Sequence, residues 1–177
     1  MSSSDPNSKI DFLDPPEVVR KKIKLAFCEE GNTAENGVLA FVEAVLIPIS
    51  ELRLDRQRGT TLDGEDPEFA KHKPFVGEGA PEGTIFTIER DEKFGGPTHY
   101  SSFATMEADF KEKKLHPKDL KASVAAGIIS LLEPIRKAFE ENEEWKTVER
   151  LAYPDPNAKP EGAKKKKVSS SIIPALS

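Results

Sequence analysis

His116-Pro117-Lys118-Asp119-Leu120-Lys121-Ala122-Ser123-Val124, continued to Leu132, is the stretch that decides the fold class of this chain. Leu120, Val124, Ile128, Leu131, Leu132 and Ile135 recur at intervals that place them on one face of an α-helix. His116-Pro117 starts this helix, Pro134 is expected to bend or restart it, and Phe139 continues its apolar side.

Upstream of it, a helical pattern spans about Met106 to Lys114. Before that, Thr84–Ile88 and Thr98–Phe103 alternate and are rich in β-formers. Asp91-Glu92-Lys93-Phe94-Gly95-Gly96-Pro97 separates them, which predicts a short hairpin with a long, glycine-bearing tip. From about Leu54 to Gly83 the chain is rich in Gly, Pro and charge, and reads as an exposed insertion. Its Gly77-x-Gly79 neither follows a strand nor opens a helix, so it is not a phosphate loop.

Two helices are predicted nearer the start, packing on each other. Asp14-Pro15-Pro16 reads as an N-cap with proline in the first turn, followed by Val19, Ile23, Ala26 and Phe27 until Gly31. The opposite face carries Arg20, Lys21, Lys22 and Lys24, as a solvated face or a helix laid along an RNA backbone would. The second helix runs from about Asn36 to Ile47, with Val38, Val42, Val45 and Ile49 as its stripe and Pro48 interrupting or ending it. Downstream, a short helix over about Glu143 to Ala152 presents Trp145, Val148 and Leu151. Beyond Pro156 the composition, including Lys164 to Lys167, builds no core and predicts a disordered tail that could touch RNA, target the nucleus or aid solubility.

At 177 residues, 37% hydrophobic and 32% charged, the chain suits one modest globular domain with polar appendages. Its single cysteine, Cys28, excludes an internal disulfide and is expected to pack in a helix core. No apolar run approaches the roughly 20 residues that cross a bilayer and no signal segment opens the chain, so it is expected to be soluble, cytoplasmic and free of membrane. A net charge of -5 argues against coating nucleic acid by bulk charge, so any RNA contact must be local. His72, His99 and His116 lie far apart without Cys companions, so no metal site is expected, and no nucleophile elbow surrounds any serine.

Two surface features fit RNA recognition. Phe94, at the hairpin tip, is either an edge aromatic folded back on the sheet or a ring free to stack on an unpaired base. Asp119, opening the long helix after His116-Pro117, is either an ordinary N-terminal cap or an acceptor pair for the N1–H and exocyclic amine of guanine. Met1-Ser2-Ser3-Ser4 reads as a frayed terminus or as hydroxyl and backbone donors that close on nucleotide phosphates.

Ser8-Lys9-Ile10-Asp11-Phe12-Leu13-Asp14, Lys24 to Asn32, Asn36 to Phe41, Asp91 to Gly96, His116-Pro117-x-Asp119-Leu120-Lys121 and Leu132-x-Pro134-Ile135-Arg136 resemble, in that order, the pattern of eukaryotic and archaeal tyrosyl-tRNA synthetases. The likeness covers residues 1 to about 54 and 84 to about 156. It implies a mostly α (α+β) fold, the helical anticodon-binding domain of a class I synthetase with a small β-hairpin. It implies that 1–13 end a catalytic domain, that 14–153 are the anticodon-binding domain with an insertion at about 55–83, and that 154–177 are the tail. By residue-wise carry-over, Phe94 stacks on the first anticodon base, Asp119 recognises it as guanine, and His116 and Pro117 line the pocket. Met1, Ser2, Ser3 and Ser4 belong to a nucleotide-binding loop of the form Lys-Met-Ser-Ser-Ser.

The family lysine before Met1 is missing, as are the tyrosine pocket, the His-containing ATP motif and the subunit interface, all expected upstream. The implied whole is a tyrosine–tRNA ligase using ATP with Mg2+, a homodimer through upstream residues, with tyrosine tRNA as partner. No catalytic residue is assigned in this chain, which is expected to be inactive alone and to need no cofactor. The animal relatives' extra C-terminal domain is replaced by the Lys-rich tail, which points to a fungal or similar branch. Two readings compete, a stand-alone RNA-binding module and a helical protein-interaction adaptor.

Overall fold

A computed structural model of the chain describes residues 9–60 and 71–153. It divides into two units, Met1–Ala138 and Phe139–Ser177, each of which is taken by itself.

The first helix, α1 (Pro16–Leu25), begins on proline and buries Val19 and Ile23. Asp14 does not cap it. Its Oδ2 instead accepts the Asp11 N–H at 2.8 Å and the Lys22 ammonium at 2.6 Å, while its backbone carbonyl accepts Arg136 Nη1 at 3.1 Å. Burial pushes the Asp14 carboxyl up, but the Lys22 hydrogen bond, the Asp11 N–H and the Lys22 charge outweigh it and hold the group below the usual aspartate value. The helix stops at Leu25, short of the expected Gly31, because Ala26 turns to extended ψ. Phe27 therefore leaves the apolar stripe and is 61% exposed. Cys28 lies in the connection, not in a helix; half-buried, it accepts Asn36 Nδ2 at 3.3 Å, and burial pushes its thiol up, above the counter-pull of that hydrogen bond and of Lys121.

The second helix does not end at Pro48. It is built from α2 (Gly37–Phe41), a π-helical turn over Val42–Leu46 and α3 (Ile47–Gln57). In the wide turn the Ile47 N–H reaches the Val42 carbonyl, five residues back, which makes room for a proline ring that would clash in a regular turn. The extra residue also rotates the buried face. Leu46 and Ile47 are buried where Val45 and Ile49 were expected, and these two are half-buried.

Part of the stretch read as an exposed insertion is tied into the fold. The Arg53 guanidinium lies 4.9 Å from the Phe75 ring centroid and donates to the Lys73 carbonyl at 2.9 Å, while the buried Ser50 hydroxyl accepts the Phe75 N–H at 2.9 Å. Phe75 meets Phe86 edge-on with centroids 6.2 Å apart, and its carbonyl accepts the Thr87 N–H. Residues 75–77 thus cover the outer edge of the hairpin, whose unpaired backbone groups would otherwise need water.

The hairpin pairs β1 (Phe86–Ile88) antiparallel with β2 (Thr98–Tyr100), Phe86 opposite Tyr100 and Ile88 opposite Thr98. Phe86, Ile88 and Tyr100 are buried. After β2, Ser102 caps α4 (Phe103–Lys111) by accepting the Thr105 N–H at 3.2 Å. The long helix, α5 (Pro117–Glu141), buries Leu120, Val124, Ile128 and Leu132. Pro134 does not end it: Ser130, whose carbonyl loses its donor there, is exposed and can bond water. Ile135, expected on the apolar face, is 42% exposed. At Gly127 a Cβ would stand 3.1 Å from both terminal methyls of Leu46, so glycine permits the close approach of the π-turn to α5. Val19, Val42, Leu46, Phe86, Met106, Phe110, Leu120 and Val124 fill the core of this unit.

In the second unit α6 (Glu143–Ala152) is capped by Asn142, whose Oδ1 accepts the Trp145 N–H at 3.0 Å.

Candidate nucleic-acid interface

Three of the residues singled out, His116, Pro117 and Asp119, share the first turn of α5. Leu115, buried just before it, anchors the entry. His116 Nδ1 accepts the Lys118 N–H at 3.0 Å, and its carbonyl accepts the Asp119 N–H at 3.1 Å. The ring nitrogen that accepts must carry its lone pair, which leaves Nε2 facing outward as the protonated nitrogen of the neutral ring. Capping is thus done by the imidazole. The Asp119 carboxylate is half-buried and has no hydrogen-bond or ion-pair partner among the described residues. Its charge is favoured by the helix dipole, and both oxygens remain available as acceptors.

The hairpin approaches the same end of α5. Phe86 and Thr87 line a small cavity with Ala126 and Gly127, and the Glu89 N–H donates to the Ser123 hydroxyl at 3.1 Å. Moving along β1 therefore means moving toward the start of α5, and Ser123 lies one turn after Asp119 on the same helix face.

At the tip, Glu92–Phe94 forms a single 3-10 turn capped by Asp91. Gly95 and Gly96 both have positive φ, +100° and +72°, a pair that side-chain-bearing residues adopt only with strain. Arg90 Nε holds the Gly96 carbonyl at 3.2 Å, closing the neck. Phe94 is not folded back: its ring is 61% exposed, with Lys93 Nζ at 5.1 Å from the centroid and 2.9 Å from Asp91 Oδ2. The Lys93 hydrogen bond and the Asp91 cap lower the Asp91 carboxyl. With the Lys93 ammonium over one face, the exposed ring leaves its other face available as a platform for a nucleobase.

Met1, Ser2, Ser3 and Ser4 lie outside the described residues, as do Lys164 to Lys167. No group of His, Cys, Asp or Glu among the described residues is arranged to hold a metal ion, and no described helix is long and apolar enough to cross a membrane.

Sequence reading named Arg20 and Lys24 within a face that could lie along an RNA backbone, but did not join that face to α5. Arg20 and Lys24 of α1 face Lys118 and Lys121 of α5 across a groove of about 570 Å3 floored by Ala122 and Ala125. The signal was present in Lys118, Lys121, Ala122 and Ala125 at helical spacing, but the facing helix is almost a hundred residues away in the chain.

The family described as class I tRNA synthetases for tryptophan and tyrosine matches residues 1–133 of this chain. The chain belongs to these class I tRNA synthetases. The cytoplasmic tyrosine–tRNA ligase of Saccharomyces cerevisiae is 46% identical over 167 residues, which cover 94% of this chain and 36% of that protein. The cytoplasmic enzyme of Xenopus laevis is 40% identical over 99% of this chain and 28% of its own length. The chain thus spans about a third of the length of the curated relatives it matches. A crystal structure of tyrosyl-tRNA synthetase from Pyrococcus horikoshii, in complex with L-tyrosine, superposes with a TM-score of 0.58 at 34% identity, covering 85% of this chain and 32% of that one. The predominantly helical fold with a two-stranded antiparallel sheet therefore corresponds to part of the tyrosyl-tRNA synthetase fold.

Proposed function

We propose that this chain is the anticodon-reading part of a cytoplasmic tyrosine–tRNA ligase, and that Asp119, Phe94, His116 and Pro117 together receive the first anticodon base of tyrosine tRNA. The observation that carries the reading is the Asp119 carboxylate, half-buried and without a partner among the described residues while His116 does the capping. Two acceptor oxygens side by side match the N1–H and exocyclic amine of guanine, the one base whose Watson–Crick edge presents two adjacent donors there. Adenine puts an acceptor at N1, which the carboxylate repels. The Phe94 ring supplies stacking, which adds affinity without choosing the base. His116 and Pro117 form the rigid wall beside the carboxylate, with the Nε2–H of His116 as a further donor.

The relatives' ligase activity enters the proposal with the rest of their length. ATP and Mg2+ would supply the phosphate chemistry of amino-acid activation, and Met1 to Ser4 would take part in gripping the nucleotide. Pairing of subunits through residues outside this chain belongs to the same proposal. The domain limits follow it: 14–153 for the anticodon-binding part and 154–177 for a tail.

The test is the affinity of the 177-residue chain for tyrosine tRNA carrying guanine or adenine at the first anticodon position. Asp119→Ala is expected to erase about 1 to 3 kcal/mol of the preference for guanine, the scale of a bidentate base contact. Asp119→Asn should lose most of it too, since its amide nitrogen meets a donor with a donor. An unaltered guanine-to-adenine ratio in both variants refutes the reading.

A further inference from the structure

In the second unit, α6 has ten residues, and a helix of that length is marginal in water unless its apolar side is packed. Its apolar side is bare: Trp145, Val148 and Leu151 are 51%, 57% and 78% exposed. At 3.6 residues per turn, these three and Ala152 fall on about one third of the helix circumference. The charges are sorted around that stripe. Lys146 and Arg150 lie on the opposite side, where Lys146 Nζ donates to Glu143 Oε1 at 2.7 Å and Arg150 Nη2 to Thr147 Oγ1 at 3.2 Å. Glu144 stands one turn before Val148 and Glu149 one turn after Trp145, so both border the stripe. Neither has an ion-pair partner among the described residues. Whatever covers the stripe must therefore bring apolar groups and positive charge together. A second copy of α6 would set these acids against their own kind, and an anionic membrane surface would be repelled by them.

We propose that the apolar face of α6 is a docking surface for the chain's own C-terminal segment, Ile172-Ile173-Pro174-Ala175-Leu176, with the run Lys164 to Lys167 pairing with Glu144 and Glu149 beside it. The segment carries both required features close together. Ile172, Ile173 and Leu176 supply the apolar groups, and the lysines precede them by a spacer of Val168 and three serines. Its reach is sufficient. α6 is about 15 Å long, and the eleven residues from Pro154 to Lys164 span about 17 to 20 Å on average as a coil. Pro154, Pro156, Pro160 and Gly162 lie in this connection, residue types that favour reversal of the chain. A tether this short holds the segment at roughly millimolar effective concentration, so contacts too weak to join two separate molecules suffice. Covering the stripe supplies the packing that a ten-residue helix needs, and the acids that border it gain their counter-charges.

Trp145 is the only tryptophan of the chain, so its fluorescence reads the stripe directly. With the segment docked, the 177-residue chain is expected to emit at shorter wavelength and to be shielded from quenching by acrylamide. Ile172→Ser/Ile173→Ser should shift the emission to longer wavelength and raise the quenching, while circular dichroism checks that the helices of the first unit persist. Lys165→Glu/Lys166→Glu should loosen the segment in the same direction. Adding Glu149→Lys to that variant should restore part of the shielding, because the sign of both partners is exchanged and a cation is favoured near the end of a helix. An isoleucine variant with the emission and quenching of the parent chain would overturn the proposal, as would a charge exchange that restores nothing. Shielding that grows with protein concentration assigns the stripe to a second copy, and shielding that arises only on adding phosphatidylserine vesicles or tRNA assigns it to those partners; each of these results overturns it too.

Discussion

Asn36 offers the sharpest test of how the core of this domain is assembled. The residue is 4% exposed and uses all four of its hydrogen-bonding positions. Its Oδ1 accepts the N–H groups of Val38 and Leu39 at 3.1 Å each, and its Nδ2 donates to the Asn32 carbonyl at 3.2 Å and to Cys28 Sγ at 3.3 Å. One side chain thus starts the helix that carries Leu46 into the core and closes the loop that returns from α1. Asn36→Ala removes an N-cap worth about 1 kcal/mol and leaves buried peptide groups without partners at about 1 to 3 kcal/mol more. We expect a total loss of about 2 to 4 kcal/mol, which for a domain of this size lowers the unfolding midpoint by about 5 to 15 °C. Asn36→Asp keeps the acceptor and gains from the helix dipole, but turns an oxygen toward the Asn32 carbonyl, so it should fall between wild type and Ala. Urea unfolding followed by circular dichroism measures all three. A change under about 0.5 kcal/mol for Ala, or an Asp variant as damaged as Ala, would mean that these bonds are satisfied equally well by water and that the reasoning fails.

Phe94→Ala should weaken binding of guanine- and adenine-bearing tRNAs equally, by about 1 to 3 kcal/mol, without lowering thermal stability, since the ring is exposed; a loss confined to one base would refute simple stacking. Lys22→Met should flatten the acid limb of the stability curve. Asp14 has its carboxyl lowered in the folded state, so its contribution is full above the unfolded aspartate value near 4 and is lost as pH falls through the folded one; without the Lys22 ammonium that difference shrinks, and equal acid limbs in the two proteins would contradict the assignment.

What the sequence made legible follows the range of the interactions involved. The hairpin and the start of α5 were readable because alternation and His116-Pro117 are local signals, whereas Ser102 and Phe103, expected in the second strand, cap and open α4, which therefore begins at Phe103 and not near Met106. Pro48 misled, because a π-helical turn absorbs a proline that a regular helix rejects, and nothing in the local pattern marks that choice. Phe75 looked like a loop residue, since the partners that bury it, Ser50 and Arg53, are more than twenty residues away. At the site, residue type pointed to Asp119 and Phe94, but not to which group caps α5. That depends on the imidazole reaching the Lys118 N–H, a matter of backbone geometry. The groove was invisible for the same reason as the Phe75 clasp: Arg20 and Lys118 meet only in the folded chain.

The carboxylate proposed to read a base and the cationic groove beside it make opposite electrostatic demands, and both sit on the first two turns of α5. Phosphates that approached Asp119 would be repelled by it, and the carboxylate would be paired and silenced if a lysine could reach it. The helix separates them by angle. Asp119 shares its face with Ser123, which is fastened to the hairpin at Glu89, while Lys118, Lys121, Ala122 and Ala125 form the stripe that turns toward α1. Lys121 is kept from swinging toward the acid by its bond to the Lys24 carbonyl, and the backbone of Lys118 is bound to the His116 ring. An acidic chain can thus present one local cationic face and still leave the carboxylate proposed to read a base without a partner among the described residues.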